Sequence, residues 1–247
     1  MPSFIHKTSP IALSGKRRRV WTLGLLVFVA CLLPLLSGCD WRFAENVRKG
    51  TALDLSGYGS DDGTWRLRRG DSAVWSQPCD TSGDSCRLEM AVSGGRSATL
   101  RRKVRWDAEG NPILKWSWSL PTKVDSLPIG RSRVGQAQTD AVVALDVTLA
   151  SSFGFEKTVR YVWSARHDRG RTLSADNWRP KALVLRDARD MGKTVTDSVN
   201  VWEDFRKTFG YTPRHLALSV AVSVRSNRPG KPVAVRFGPI LALPEAK

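Results

Sequence analysis

Few residues in this 247-residue chain are equipped for catalysis. Beyond His6 the only histidines are His167 and His215. His167-Asp168 lies in the arginine-rich link Arg166 to Arg171, which reads as an exposed loop, and His215 opens an apolar strand behind Pro213-Arg214. Neither is set beside a nucleophile; no serine occupies a Gly-x-Ser-x-Gly elbow, and phosphate-loop, dinucleotide and zinc spacings are all missing. A pair of carboxylates could hydrolyse a glycoside, and the acids in question are Asp140, Asp146, Glu203 and Asp204. Glu203 and Asp204 are better explained by a helix N-terminus, where negative charge meets the dipole. Asp146 stands on the polar side of an otherwise apolar strand. No cofactor or metal is expected, and a glycoside-acting enzyme is the second alternative.

Binding chemistry is better represented. The chain has 10 tryptophans, and flat rings stack on sugar faces while polar neighbours hold hydroxyls. Trp116, Trp118 and Trp163 fall at core-facing strand positions. Trp178, within Asp176-Asn177-Trp178-Arg179-Pro180, falls in a loop and is the candidate for exposure. Lys115, Arg160 and Arg186 are expected to share the polar face of one sheet, a basic groove for carboxylate or phosphate, with Asp140 and Asp146 as acidic members and Arg225 and Arg228 in a late loop. Lys and Arg number 39 against 23 Asp and Glu, giving a formal net charge of +16. All the acids lie beyond residue 38, whereas Lys7, Lys16 and Arg17 to Arg19 precede it, so the remainder stays strongly basic. Such a field suits an anionic lipid surface, a phosphorylated or acidic polysaccharide, or simply solubility. A nucleic-acid partner would need basic residues interleaved with exposed aromatics and is the least expected.

The four cysteines divide by position. Residues 1–38 run from basic to apolar (Trp21 to Leu36) to small, the order of an export signal, and the apolar run is shorter than the roughly 20 residues of a spanning helix. Leu36-Ser37-Gly38-Cys39 resembles the lipobox of bacterial lipoproteins, which implies removal of 1–38 with Cys31 and diacylglyceryl attachment to Cys39. Attachment by two or more acyl chains is stable. Asp40 then slightly favours the inner membrane, facing the periplasm. The remaining Cys79 and Cys86 are expected to form a disulfide around a short polar loop in an oxidising compartment.

The elements that must position these residues are strands. Gly57, Gly59, Asp61-Asp62-Gly63 and Gly70 punctuate short pieces such as Thr64 to Arg68 and Ser72 to Ser76, which read as hairpins. Period-2 alternation is clear in Ile113 to Leu120, Ala141 to Leu149, Lys157 to Ala165 and His215 to Arg225; Ala182 to Arg186, Thr194 to Val199 and Val233 to Phe237 are shorter. Asn200 to Gly210 breaks the pattern with a capping side chain, Glu203 three residues on, and a terminal glycine. It predicts one short helix whose Trp202, Phe205 and Phe209 plug an end of an all-β antiparallel sandwich. The expected organisation is a signal over 1–38, a tether and β-rich subregion with a disulfide loop over 39–96, and the sandwich over 97–247.

The segments Leu114-Lys115-Trp116-Ser117-Trp118, Tyr161-Val162-Trp163-Ser164 and Asn200 to Gly210 resemble the exported bacterial family known as domain of unknown function 3047, over roughly Ser97 to Leu243. The resemblance implies a jelly-roll-like sandwich related to carbohydrate-binding modules, with no established reaction. It also implies an acidic pair with an arginine after the tryptophans and an acidic late loop; here only Asp140 and Asn227 match, with Arg225 and Arg228 replacing acids. The leading expectation is a lipid-anchored envelope protein whose non-catalytic sandwich binds a glycan or anionic polymer. The first alternative is a structural or assembly lipoprotein docking on another envelope protein.

Overall fold

The computed structural model describes residues 52–56, 65–79, 86–120, 141–151, 154–173, 181–226 and 231–246. Alternating apolar side chains build two facing sheets. The six-stranded sheet contains β11 (Thr194–Asn200), β6 (Ile113–Ser119), β13 (Val233–Leu243), β4 (Leu88–Val92) and β3 (Val74–Ser76) in that order, with β1 (Leu53–Asp54) also paired to β13. The seven-stranded sheet runs β2 (Arg66–Leu67), β5 (Ser97–Asp107), β12 (Pro213–Arg225), β7 (Ala141–Ser151), β8 (Glu156–Ser164), β10 (Lys181–Arg186), β9 (Thr172–Leu173). The pairing is antiparallel except between β8 and β10, which are parallel. The fold is therefore the expected β-sandwich, with one mixed sheet.

Strands from residues 53–92 join both sheets: β1 and β4 pair with β13, and β2 with β5. The expected boundary at residues 96 and 97 thus separates nothing, because β13 finds its partners among the early strands. Cys79 and Cys86 form the anticipated disulfide, Cα to Cα 4.0 Å, beside the β3–β4 pair.

Trp106, Trp116, Trp118, Trp163, Tyr161, Phe205 and Phe237 are fully buried between the sheets, as strand positions predict for Trp116, Trp118 and Trp163. Trp118 centres an aromatic cluster, 5.5 Å from both Trp116 and Trp163 and 5.8 Å from Phe237. At Gly238, in the β13 segment where its register against β6 shifts, an added Cβ would displace the Ser117 hydroxyl.

The helix α1 (Val201–Phe209) begins and ends where expected. The Asn200 side chain accepts from the Glu203 amide at 2.9 Å, and Gly210, at φ 78°, donates its amide to the Arg206 carbonyl at 2.8 Å. Glu203 and Asp204 occupy the positive end of the helix dipole, Arg206 and Lys207 the negative end. Phe205 is buried and stacks on Phe209 and Tyr211 at 4.6 and 5.6 Å, closing one end of the sandwich.

Candidate functional site

In β7, Val143, Leu145, Val147 and Leu149 belong to the inter-sheet core, so Asp146 and Thr148 between them face outward. The same alternation turns Arg101 and Lys103 of β5, Ser219, Ala221, Ser223 and Arg225 of β12, and Thr158 and Arg160 of β8 to that outer face. Cross-strand register then aligns them in rows. One runs Arg66, Arg101, Ala221, Asp146, Arg160, Ala182 across six strands. The next runs Lys103, Ser219, Thr148, Thr158.

Small side chains make the floor of this face, and long cationic ones lie over it. Arg160 grips Asp146 with two parallel bonds of 2.7 Å each, from Nε and Nη2, the geometry a guanidinium favours with a carboxylate. Burial disfavours the Arg160 charge, but the bonds to Asp146 more than offset it, so its pKa stands above the ordinary arginine value. Arg101 donates to the Ser219 hydroxyl at 3.1 Å and lies 3.7 Å from the Glu156 carboxylate, with half of its side chain still exposed. Thr148 and Thr158 share a 3.0 Å hydrogen bond, as do Thr99 and Ser223 at 3.1 Å. The face is a polar, net basic surface with hydroxyls between fixed guanidinium groups.

The residues expected to act together separate into groups. Arg160, Asp146 and Arg225 do share this face. Lys115 does not: it belongs to β6 in the other sheet, exposed on that sheet's outer side. Arg186 does not either. A β-bulge sets Val184 opposite Val162 but Arg186 opposite Trp163, whose ring is in the core, so two residues of β10 span one step of β8 and Arg186 turns inward. There it bonds both oxygens of Asp197 in β11, at 2.8 to 3.1 Å, while the Trp118 indole donates to Asp197 at 2.8 Å. Arg186 thus ties the two sheets together. The shared-face expectation fails because alternation reveals sidedness within a strand, whereas a bulge and sheet membership are decided elsewhere. Cys39, Asp140, Trp178 and Arg228 lie outside the described residues.

Arg66, Arg101, Lys103 and Ser219 escaped notice as site residues. Arg101 and Lys103 sit in the basic run Arg101-Arg102-Lys103, and the available signal was its alternation: Arg102 turns inward, 7% exposed, and donates to the Leu55 carbonyl at 3.3 Å, leaving its neighbours outward. Of the acids weighed for glycoside chemistry, Asp146 and Asp204 do not meet. Asp146 is on the outer face and held by Arg160, whereas Asp204 receives the Tyr161 hydroxyl bond, 3.1 Å, from the inner side of the same sheet. Among the described residues no three His, Cys, Asp or Glu side chains are placed to hold a metal ion.

Fold and face together define a jelly-roll-like β-sandwich with a basic outer sheet surface. Residues 82–241 match the family described as protein of unknown function (DUF3047), and the chain belongs to that family. No curated protein matches it. Among solved structures it is similar to the family 11 carbohydrate-binding module of the cellulosomal cellulase Lic26A-Cel5E of Clostridium thermocellum, with 10% identity, 80% of this chain and 96% of that one covered, and a TM-score of 0.39. It is similar also to the endoglucanase cel12A from Rhodothermus marinus, with 13% identity, 80% and 97% coverage and a TM-score of 0.39. A third similar structure is the xyloglucanase domain of NopAA from Sinorhizobium fredii in complex with cellobiose, with 9% identity, 78% and 98% coverage and a TM-score of 0.40. TM-scores this low carry no functional weight.

Proposed function

We propose that this is a lipid-anchored periplasmic protein whose β-sandwich binds, without turning over, an acidic glycan or anionic envelope polymer across the outer face of the seven-stranded sheet. The observation that supports this reading is the row from Arg66 through Arg101 and Asp146 to Arg160. It sets guanidinium groups on a floor of Ala and Ser hydroxyl-bearing positions, a surface that a flat, extended, anionic chain can follow. Carboxylates and phosphates match the planar fork of the exposed Arg66 and Arg101, while the buried Ser219 and Thr148 and the Asp146-bound Arg160 form the floor beneath them.

The test is direct binding of the detergent-solubilised full chain to an array of acidic and neutral glycans. Acidic members are expected to bind and neutral ones not. An Arg101→Glu, Lys103→Glu double variant, reversing two exposed charges, is expected to lose at least about tenfold, the equivalent of about 1.4 kcal/mol. Equal binding of neutral glycans, or no effect of the double variant, would overturn the proposal.

A second reading, docking on another envelope protein, is favoured by the β3 edge of the six-stranded sheet, which no other described strand covers. Val74 is 80% exposed and Trp75 37% on edge strand β3, beside a cleft of about 160 Å3 lined by Ala91, Ala234, Glu89 and Arg236. Exposed apolar edge strands invite pairing with another chain. An envelope protein that copurifies with the wild type and is lost from a Val74→Lys variant would support it.

A further inference from the structure

One end of the sandwich gathers several segments that are distant in sequence. Ser151 pairs with Pro213 and Asp107 with Leu216, so the turn after β5 and the link from β7 to β8 lie together there. Ile113 pairs with both Asn200 and Leu243, and the Val201 amide donates to the Pro112 carbonyl at 2.9 Å, which brings α1 and the close of β13 to the same end. Leu53 pairs with Ala242, so the chain also enters the sandwich at this end.

Phe155 projects here. Its side chain is 70% exposed, yet its backbone is held: the amide donates to the Ser151 hydroxyl at 3.0 Å, its carbonyl accepts from the Ser151 amide at 2.7 Å, and Gly154 adopts φ 85° to make the turn. Cations share this end. Lys157 follows two positions on, with its ammonium 6.0 Å from the Phe209 ring, and Lys181 approaches the same ring at 5.9 Å while donating to the Thr208 carbonyl. Lys207 is exposed on the last turn of α1, and Arg214 is exposed beside Pro213. Of the acids at this end, Glu203 pairs with Arg206 at 2.8 Å, Asp204 accepts from Tyr161, Glu156 lies 3.7 Å from Arg101 and Glu109 3.8 Å from His215, and Glu245 is exposed; the three lysines and Arg214 stand outside these pairs.

A single exposed aromatic is ordinary on a protein surface. One on a fixed backbone, sharing its end of the sandwich with three lysines and an arginine, is the pattern of an interfacial contact. We infer that this end of the sandwich docks on an anionic phospholipid bilayer, Phe155 entering the headgroup region and Lys157, Lys181, Lys207 and Arg214 meeting lipid phosphates. Lysine stems cover apolar surface while their ammonium groups reach for the phosphates, and juxtamembrane cations add attraction to anionic leaflets within a screening length. The docking surface is independent of an anchor at Cys39 and of the outer sheet face.

The test places an environment-sensitive dye on the full chain at Phe155→Cys, and separately at Arg69→Cys, with label on the unsubstituted chain subtracted. Arg69 is exposed near Thr99, the opposite end of β5. The chains are reconstituted in vesicles of phosphatidylglycerol with phosphatidylcholine, or of phosphatidylcholine alone, and quenched with iodide. The dye at 155 is expected to be shielded on the anionic vesicles, much less on the neutral ones, and the dye at 69 on neither. A Lys157→Gln, Lys207→Gln, Arg214→Gln background should lower the shielded fraction, each cation weakening docking about fivefold. Equal quenching at 155 and 69 on anionic vesicles would overturn the inference, as would equal shielding at 155 on both vesicle types.

Discussion

Asp197 is a carboxylate held from both sheets. Its two oxygens take the Arg186 guanidinium and the Trp118 indole, and Arg186 also lies 3.7 Å from Asp190. Hydrogen bonding to Asp197 raises the Arg186 pKa first of all, against the opposing effect of burial. The side chains of Arg186 and Asp197 are 13% and 7% exposed, so removing one partner strands the other charge away from water. Asp197→Ala is therefore expected to cost about 3 to 5 kcal/mol, read from the urea midpoint with unchanged slope. Asp197→Asn keeps an acceptor for Trp118 and should cost less. A loss under 1 kcal/mol for the alanine variant would mean that the bridge between β10 and β11 is dispensable. Nothing in Ala182 to Arg186 discloses this role, because the bulge that turns Arg186 inward is visible only against β8.

At the scale of the element, α1 was legible almost to the residue: Asn200, Glu203 and Gly210 each do locally what their types do at helix ends. Its docking onto β8 was not. That contact buries Asp204 against Tyr161, and burial raises the Asp204 pKa above its ordinary value while the Tyr161 hydroxyl bond pulls it down. The same burial, with the Asp204 charge, pushes the Tyr161 pKa well up. Since the folded Asp204 holds its proton more tightly than the unfolded one, its contribution to stability is fully present below about pH 4 and is lost as pH rises through the raised value. Asp204→Asn removes this loss. The variant should gain on the wild type as pH rises above about 4 in paired denaturation curves, and a difference that is flat or falls with pH would contradict the burial.

For the molecule as a whole, the anchor remains the proposal with the most local support. Mass spectrometry of membrane-extracted protein is expected to find Cys39 as the first residue carrying acyl mass. An unmodified chain starting at Met1 would refute it. Anchor, basic sheet face and the end bearing Phe155 would then act on one plane: the lipid restricts the protein to the bilayer, the α1 end sets its orientation, and the outer face of the seven-stranded sheet is left for polymer. None of the three needs catalytic chemistry.

Local signals determined the strand character of Ile113 to Leu120, Ala141 to Leu149, Lys157 to Ala165 and His215 to Arg225, the burial of Trp116, Trp118 and Trp163, the helix over Asn200 to Gly210 and the pairing of Cys79 with Cys86. All of these follow from side-chain alternation, capping chemistry or short separation, which operate within a few residues. Only the tertiary structure decided that β13 continues past Gly238 to Leu243 and recruits β1 and β4, that β10 runs parallel to β8, and that Lys115, Arg160 and Arg186 serve three different surfaces. The physical reason is that the alternation of a strand states which side chains share a face, while which sheet that face belongs to is set by hydrogen-bond partners up to 189 residues away, as the pairing of Leu53 with Ala242 shows.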